Sequence, residues 1–362
     1  MAEFDISKEW TILAPDRGLV WTAAEEISRC VQVLRKREAL NLKPAEIIDG
    51  SGGAPEGDSP LIVMNHDQQD NCRSGFSWRA GKDRVEIYGD SPRGLCGGAY
   101  SFLAALGFSW PDPYTETVPQ NTGAARNLYS LSSGSGFEKS ENTPEHHRRL
   151  VFTRETPAKA ETAWLVWARR NSVDTAVVPL YYGRIPASGI RGMGGRRQKR
   201  LCRKARDMGF TVEAGGWDLS GFVPRKNFGA KRELLRMEQG KRIKHTNFCA
   251  TNPDTLEIIR KGISKLLSAC PELETIHLWP DRHNETLWCA CPACRAFSAG
   301  EQYLMAVSAA ADAGERVNPR FTVSYYDTGE TGDIQPGPNT LGLNFLPGSP
   351  EAAARGWFLA DR

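Results

Sequence analysis

The chain has 362 residues, 40% hydrophobic and 25% charged, and its 46 basic residues nearly cancel its 43 acidic ones to leave a formal charge of +3. This composition excludes collagen-like and disordered chains and gives no global electrostatic pull toward nucleic acid or a membrane surface. The opening MAEFDISKEW has no basic segment followed by an apolar run, and no stretch approaches the roughly 18 apolar residues of a membrane span, so a cytoplasmic protein is expected.

In chain order, EWTIL reads as a strand, and residues 22–37 place Ala23, Ile27, Cys30, Val31 and Leu34 on one face of a helix. The runs AEIIDG, PLIVMNH and DRVEIYGD are short, rich in Ile and Val, and bounded by Gly, Asp and Pro, as strands are. Ser91 then reads as a helix N-cap with Pro92 at the first helical position, and Gly107 as the stop. Residues 1–118 are therefore expected to form a small α/β domain. Residues 119–147 are rich in Ser, Gly, Asn and Pro without apolar periodicity and read as a linker.

From Arg148 onward, strand-like runs near 150, 177, 212, 277, 323 and 342 alternate with helical patterns, which argues for a parallel sheet, open or closed into a barrel. A complete TIM-type (β/α) barrel needs eight such units. Only six strands are legible here, so residues 148–362 are expected to form an incomplete barrel whose open edge invites self-association.

Two stretches carry a family likeness. RVEIYGDSPRGLCGGAYSFLAALGFSWPDP (84–113) resembles the small N-terminal domain that precedes the catalytic barrel in alpha-glucuronidases and beta-hexosaminidases. The segments GGWDLSGFVP, RELLRMEQGKRIKHTNFCATNPDTLEIIRKGI, WPDRHNETLWCACPACRA and VSYYDT are similar to a glycoside-hydrolase-like barrel family of unknown function allied to alpha-glucuronidases, in which C-x-C-x-x-C follows the fourth strand. The resemblance implies a barrel and a carbohydrate ligand, without fixing a reaction. Trp217 stands where those relatives carry a His.

In a parallel barrel the residues just after each strand converge on one face. These are Arg154, Tyr181 and Tyr182, Trp217 and Asp218, Trp279 and Asp281, and Tyr326 and Asp327. Aromatic faces, carboxylates and an arginine suit a sugar, which offers C–H surfaces for stacking and hydroxyls or a carboxylate for hydrogen bonds. Strand-end aspartates also serve as loop caps, so the group weighs more than any one member. Asp281 is the first candidate for acid or base work, its pKa expected to be raised by neighbouring acids. Glu285, in the same loop, and Asp327 compete to be the second carboxylate. Asn252 and Pro253 read as a helix start, with a ligand contact by Asn252 as the alternative.

Cys289, Cys291 and Cys294 form the cysteine cluster. Its order and spacing do not match a zinc deaminase. A structural zinc site with a fourth ligand from His283 or Cys249 is one reading. The favoured one is that the thiols brace the pocket wall by packing or by one disulfide, so no metal or cofactor is assigned. Residues 191–206 hold eight basic residues but no interleaved aromatics, and read as a solvated helix face rather than a nucleic-acid site. The expected function is that of a glycoside hydrolase acting on a saccharide, with uronic acids among the candidates. The alternatives are a catalytically silent carbohydrate-binding protein and a scaffold organised by a metal at the cysteines.

Overall fold

A computed structural model describes residues 3–15, 18–50, 59–66, 75–120, 128–130, 148–184, 186–190, 193, 195–226, 229–281, 287–326, 337–345 and 357–361. The chain divides into two compact units, the first comprising residues 1–145, 162–173 and 207–209, and the second the remainder. Among the described residues, no helix is long and apolar enough to cross a membrane.

The first unit contains β1 (Glu3–Asp5), β2 (Thr11–Ala14), α1 (Leu19–Arg37), β3 (Glu46–Asp49), β4 (Leu61–His66), β5 (Phe76–Ala80), β6 (Arg84–Gly89), α2 (Pro92–Ala105), β7 (Ser109–Asp112), β8 (Thr115–Thr117) and β9 (Leu128–Ser130). Five strands form one sheet in the order β3-β2-β4-β6-β5, parallel except for the antiparallel pairing of β5 with β6. The helical stripe expected on α1 is buried: Ala23, Ile27, Cys30, Val31 and Leu34 are all in the core. The Ser91 side chain accepts a hydrogen bond from the Gly94 N–H at 3.0 Å, and Pro92 opens α2, as the sequence predicts. Gly107 follows the helix with φ +101°, a conformation that favours glycine. Within the segment read as a linker, Leu128–Ser130 is a strand paired antiparallel with β1, which extends the first unit past residue 118. The rest of that segment from 121 to 147 lies outside the described residues.

The second unit is built on a closed barrel of seven strands: β10 (Arg149–Phe152), β11 (Thr175–Val178), β12 (Thr211–Gly216), β15 (Thr275–Leu278), β16 (Thr322–Tyr326), β17 (Thr340–Phe345) and β18 (Trp357–Asp361). The first six are the strands legible in the sequence, and they pair in parallel. The seventh runs antiparallel between β17 and β10. The expectation of an open edge is thus corrected, and the argument for self-association through that edge goes with it. Along the chain, α3 (Glu161–Arg170), all but its first residue counted with the first unit, and α4 (Arg196–Asp207), α5 (Pro253–Ala269) and α6 (Ala299–Glu315) fall between the strands, and a short hairpin, β13 (Met237–Glu238) and β14 (Lys241–Arg242), precedes α5. The basic helix α4 buries Gln198, Leu201 and Ala205 and turns most of its arginines and lysines to solvent.

Residues two apart on a strand share a face. Arg149 and Val151 of β10, Glu213 of β12, His277 of β15 and Ser324 of β16 are all buried. Arg149 Nε donates to Glu213 Oε2 at 2.7 Å, His277 Nε2 lies 2.7 Å from the same oxygen, and His277 Nδ1 meets Ser324 Oγ. This chain of polar contacts links side chains from four of the strands.

Candidate active site

The site lies where the strands of the barrel end. Strand β12 finishes on Gly215 and Gly216, at φ +108° and +125°, and a Cβ at Gly215 would lie 2.1 Å from the His277 carbonyl oxygen. Only glycine permits both the close approach and the backbone angle. The turn delivers Trp217 and Asp218 to the mouth of the barrel, where a short 3₁₀ turn, Leu219–Phe222, follows with Ser220 buried in it. A shallow pocket there is lined by Phe152, Thr153, Arg154, Trp217 and Asp218 among others.

Asp218 is buried, and its Oδ2 accepts a hydrogen bond from the Leu180 N–H at 2.7 Å. Burial is the largest influence on its carboxyl and lifts the pKa to about 7, with the nearby Asp281 adding to the rise, against the opposing pull of the Leu180 N–H and Arg154. The carboxyl with the raised pKa is thus one residue past Trp217, and burial rather than repulsion between acids is the main cause.

Asp281 is also buried. Its Oδ2 accepts from the Ser220 hydroxyl and, at 3.3 Å, from the Asn247 N–H, while its Oδ1 lies 3.8 Å from Arg154 Nη1. Asn247 has φ +52°, a left-handed conformation that Asn tolerates better than most residues and that accompanies its N–H···Asp281 contact. Arg225 completes the surround: it is buried, donates to the Asn247 and Ser220 carbonyls at 3.0 and 3.2 Å, and burial lowers its pKa to about 10 against the opposing pull of Asp281. Arg154 Nη1 donates to the Tyr181 hydroxyl at 2.6 Å, and burial pushes that phenol up, so it keeps its proton.

The structure therefore groups Arg154, Trp217, Asp218 and Asp281, all named from the sequence. Trp279 is corrected: it has no exposed surface and fills the barrel with Val151, Val177 and Trp217, its ring 4.7 Å from that of Trp217 and nearly perpendicular to it. A side chain so enclosed offers no face to a sugar. Tyr326 packs against the same cluster, and its N–H donates to the Tyr303 hydroxyl at 2.9 Å. Tyr182 has other partners: its hydroxyl bonds Glu161 at 3.0 Å and the Arg197 guanidinium stacks on its ring. The Asn252 side chain accepts from the Asp254 N–H at 2.9 Å and caps α5. Glu285, His283 and Asp327 lie outside the described residues. Sequence reasoning did not single out Ser220, Arg225 or Asn247. The available signal was Ser220 two residues after Asp218; Arg225 and Asn247 are long-range neighbours without one.

The cysteines lie beside this site. Cys249, Cys289, Cys291 and Cys294 are buried together as free thiols, with Cys249 Sγ 3.7 Å from the sulfurs of both Cys291 and Cys294. A disulfide needs about 2.05 Å, so the expectation of one is corrected.

No protein-family model matches the sequence, and no curated protein matches it. Solved structures do. A family 20 beta-N-acetylhexosaminidase from Streptomyces coelicolor superposes with a TM-score of 0.56 at 11% identity, over 98% of this chain and 69% of its own. The N-acetyl-beta-hexosaminidase of Streptomyces plicatus in complex with thio-NAglucal gives 0.56 at 12%, over 98% and 68%. The exo beta-N-acetylglucosaminidase of Vibrio harveyi in complex with N-acetylglucosamine gives 0.52 at 14%, over 97% and 56%. This chain thus spans between about half and two thirds of the length of these neighbours, and at these identities the similarity shows the fold alone: a glycoside-hydrolase-like α/β architecture of the kind these hexosaminidases have.

Proposed function

We propose that the mouth of the barrel binds a saccharide and hydrolyses a glycosidic bond, with Asp218 as the proton donor. The observation that carries this reading is the buried Asp218 carboxyl, with a pKa of about 7, lining a pocket beside Arg154 and Trp217. Such a carboxyl is half protonated at neutral pH, which suits it to give a proton to the leaving oxygen as the bond to the anomeric carbon breaks. Asp281, held by Ser220, Asn247 and Arg154, is the carboxylate that faces the positive charge developing on the sugar. Glu285 and Asp327 remain candidates for activating water. The structural neighbours act on N-acetylhexosaminides by name, which makes a terminal N-acetylhexosamine the first substrate to try. Arg154 at the pocket supports an acidic sugar as the second, since a guanidinium pairs well with a carboxylate.

The test is hydrolysis of aryl N-acetyl-beta-hexosaminides and aryl glucuronides, with binding measured in parallel by calorimetry. Turnover should fall by about 10²- to 10⁴-fold in Asp218→Asn, and Asp281→Asn should abolish it with the fold intact. Binding without hydrolysis in the parent chain identifies a silent carbohydrate-binding protein instead. Unchanged turnover in both variants would put the site elsewhere.

A further inference from the structure

The four buried cysteines are assembled from two distant parts of the second unit. Cys249 sits between the hairpin β13–β14 and the start of α5, whereas Cys289, Cys291 and Cys294 follow β15 and lead into a short 3₁₀ turn, Cys294–Ala296. Their sulfurs all lie within 4.8 Å of one another. In a tetrahedral zinc site with Zn–S bonds of about 2.3 Å, neighbouring sulfurs stand about 3.8 Å apart. The separations from Cys249 to Cys291 and to Cys294 are 3.7 Å. These distances are too long for a disulfide, and the cage is too small for a cluster of several irons.

The surroundings are built for charged sulfur. The Met237 N–H points at Cys289 Sγ from 3.3 Å, and the Arg242 guanidinium stands 3.7 Å from the same atom. The Thr251 hydroxyl is 3.1 Å from Cys294 Sγ. Gln302, on α6, brackets the loop by accepting from the Cys289 N–H and donating to the Cys289 and Cys294 carbonyls. A merely apolar packing of thiols has no use for a cation and an N–H aimed at sulfur.

We propose that Cys249, Cys289, Cys291 and Cys294 form a structural tetrathiolate site for one zinc ion. Each thiol binds as a thiolate and gives its proton to solvent, so the site carries two negative charges, partly offset by Arg242. All four positions are filled by protein, which leaves none for a reacting water and makes the role structural. The ion ties the loop before α5 to the loop after β15. Asn247, two residues from Cys249, donates to Asp281, so the same staple holds one wall of the barrel mouth. The proposal stands whether or not that mouth hydrolyses sugars.

The test is metal analysis of the full chain produced with zinc in the medium and purified without chelators. Plasma emission should find about one zinc per chain. Cys249→Ser, which leaves the C-x-C-x-x-C intact, should lose that zinc on dialysis, and Cys202→Ser, outside the cluster, should keep it. Because Cys249→Ser can fail to fold, the parent chain is also stripped and titrated with cobalt(II), which should give the thiolate charge-transfer and visible bands of a tetrahedral sulfur site at about one equivalent. The proposal is overturned by a folded parent chain without zinc whose four thiols react freely with Ellman's reagent. It is equally overturned by zinc retained in folded Cys249→Ser, by stoichiometric iron in place of zinc, or by cobalt that binds without those bands.

Discussion

Glu213 and Asp218 are five residues apart, both buried, and both near an arginine, yet their carboxyls move in opposite directions. Burial pushes each upward. At Glu213 the bonds from His277 and Arg149 outweigh it and hold the carboxyl at about 2. Burial and the bond to Glu213 act in opposite senses on His277, and burial prevails, so Arg149 is the counter-cation of the network. At Asp218 one backbone N–H and the field of Arg154 do not suffice, and the carboxyl stays at about 7. At Glu213 short hydrogen-bonded partners outweigh burial and set the sign of the shift, whereas at Asp218 burial prevails and sets it. Inside the barrel this makes a permanent ion pair; at its mouth it makes a group poised to exchange a proton.

The sharpest way to break this comparison is to remove the charge at Glu213. Glu213→Gln leaves Arg149 buried without a counter-charge, which costs about 3–5 kcal/mol. Chemical denaturation at neutral pH should report that loss. The pH dependence of the parent has a defined sign: with the folded pKa depressed from 4.5 to about 2, the stabilisation is present above 4.5 and disappears as the pH falls through about 2. An equally stable Glu213→Gln protein would show that the pair is no more than neutral.

The opposite sign belongs to Asp218. Its folded pKa is raised from 3.8 to about 7, so its contribution is fully present below pH 3.8 and is lost as the pH rises through 7. The loss amounts to at most about 4 kcal/mol. Asp218→Asn stays neutral and can still accept from the Leu180 N–H, so it should be more stable than the parent above pH 7 and equal to it near pH 4. Thermal unfolding across that range measures the difference. Parallel curves for the two proteins would mean that the Asp218 carboxyl titrates normally.

Much of this was legible in the sequence. The short Ile- and Val-rich runs located six barrel strands because parallel strands covered on both faces must be apolar along their length. The seventh, Trp357–Asp361, escaped because it pairs antiparallel with both neighbours, which the strand-and-helix rhythm of a parallel barrel does not signal. The rule that strand ends converge found Arg154, Trp217, Asp218 and Asp281. It misplaced Trp279 because it ignores which face a residue takes: Trp279 is two residues from the inward His277 and shares its side of the strand. Ser220, Arg225 and Asn247 were invisible for a different reason. Their meeting with Asp281 depends on how loops between β12 and α5 fold back, which no local pattern encodes. Cys249 was named from sequence only as one of two candidate partners for the cysteine cluster, and the fold brings it to the other three.

The smallest expected effect sharpens the line between site and scaffold at Asn252. Its side chain accepts from the Asp254 N–H at the first turn of α5, and Pro253 follows at the first helical position, where its missing N–H costs nothing. Removing such a cap costs about 1 kcal/mol. Asn252→Ala should therefore lower stability by that amount, Asn252→Asp should restore it by capping in the same way with a charge that suits a helix N-terminus, and neither should alter binding of an aryl N-acetyl-beta-hexosaminide. The first helical turn follows Thr251, whose hydroxyl bonds Cys294, so a small drop in zinc retention in Asn252→Ala alone would fit the same structural role. If sugar affinity instead falls in both variants while stability holds, Asn252 touches the ligand, and the boundary of the site extends to the start of α5.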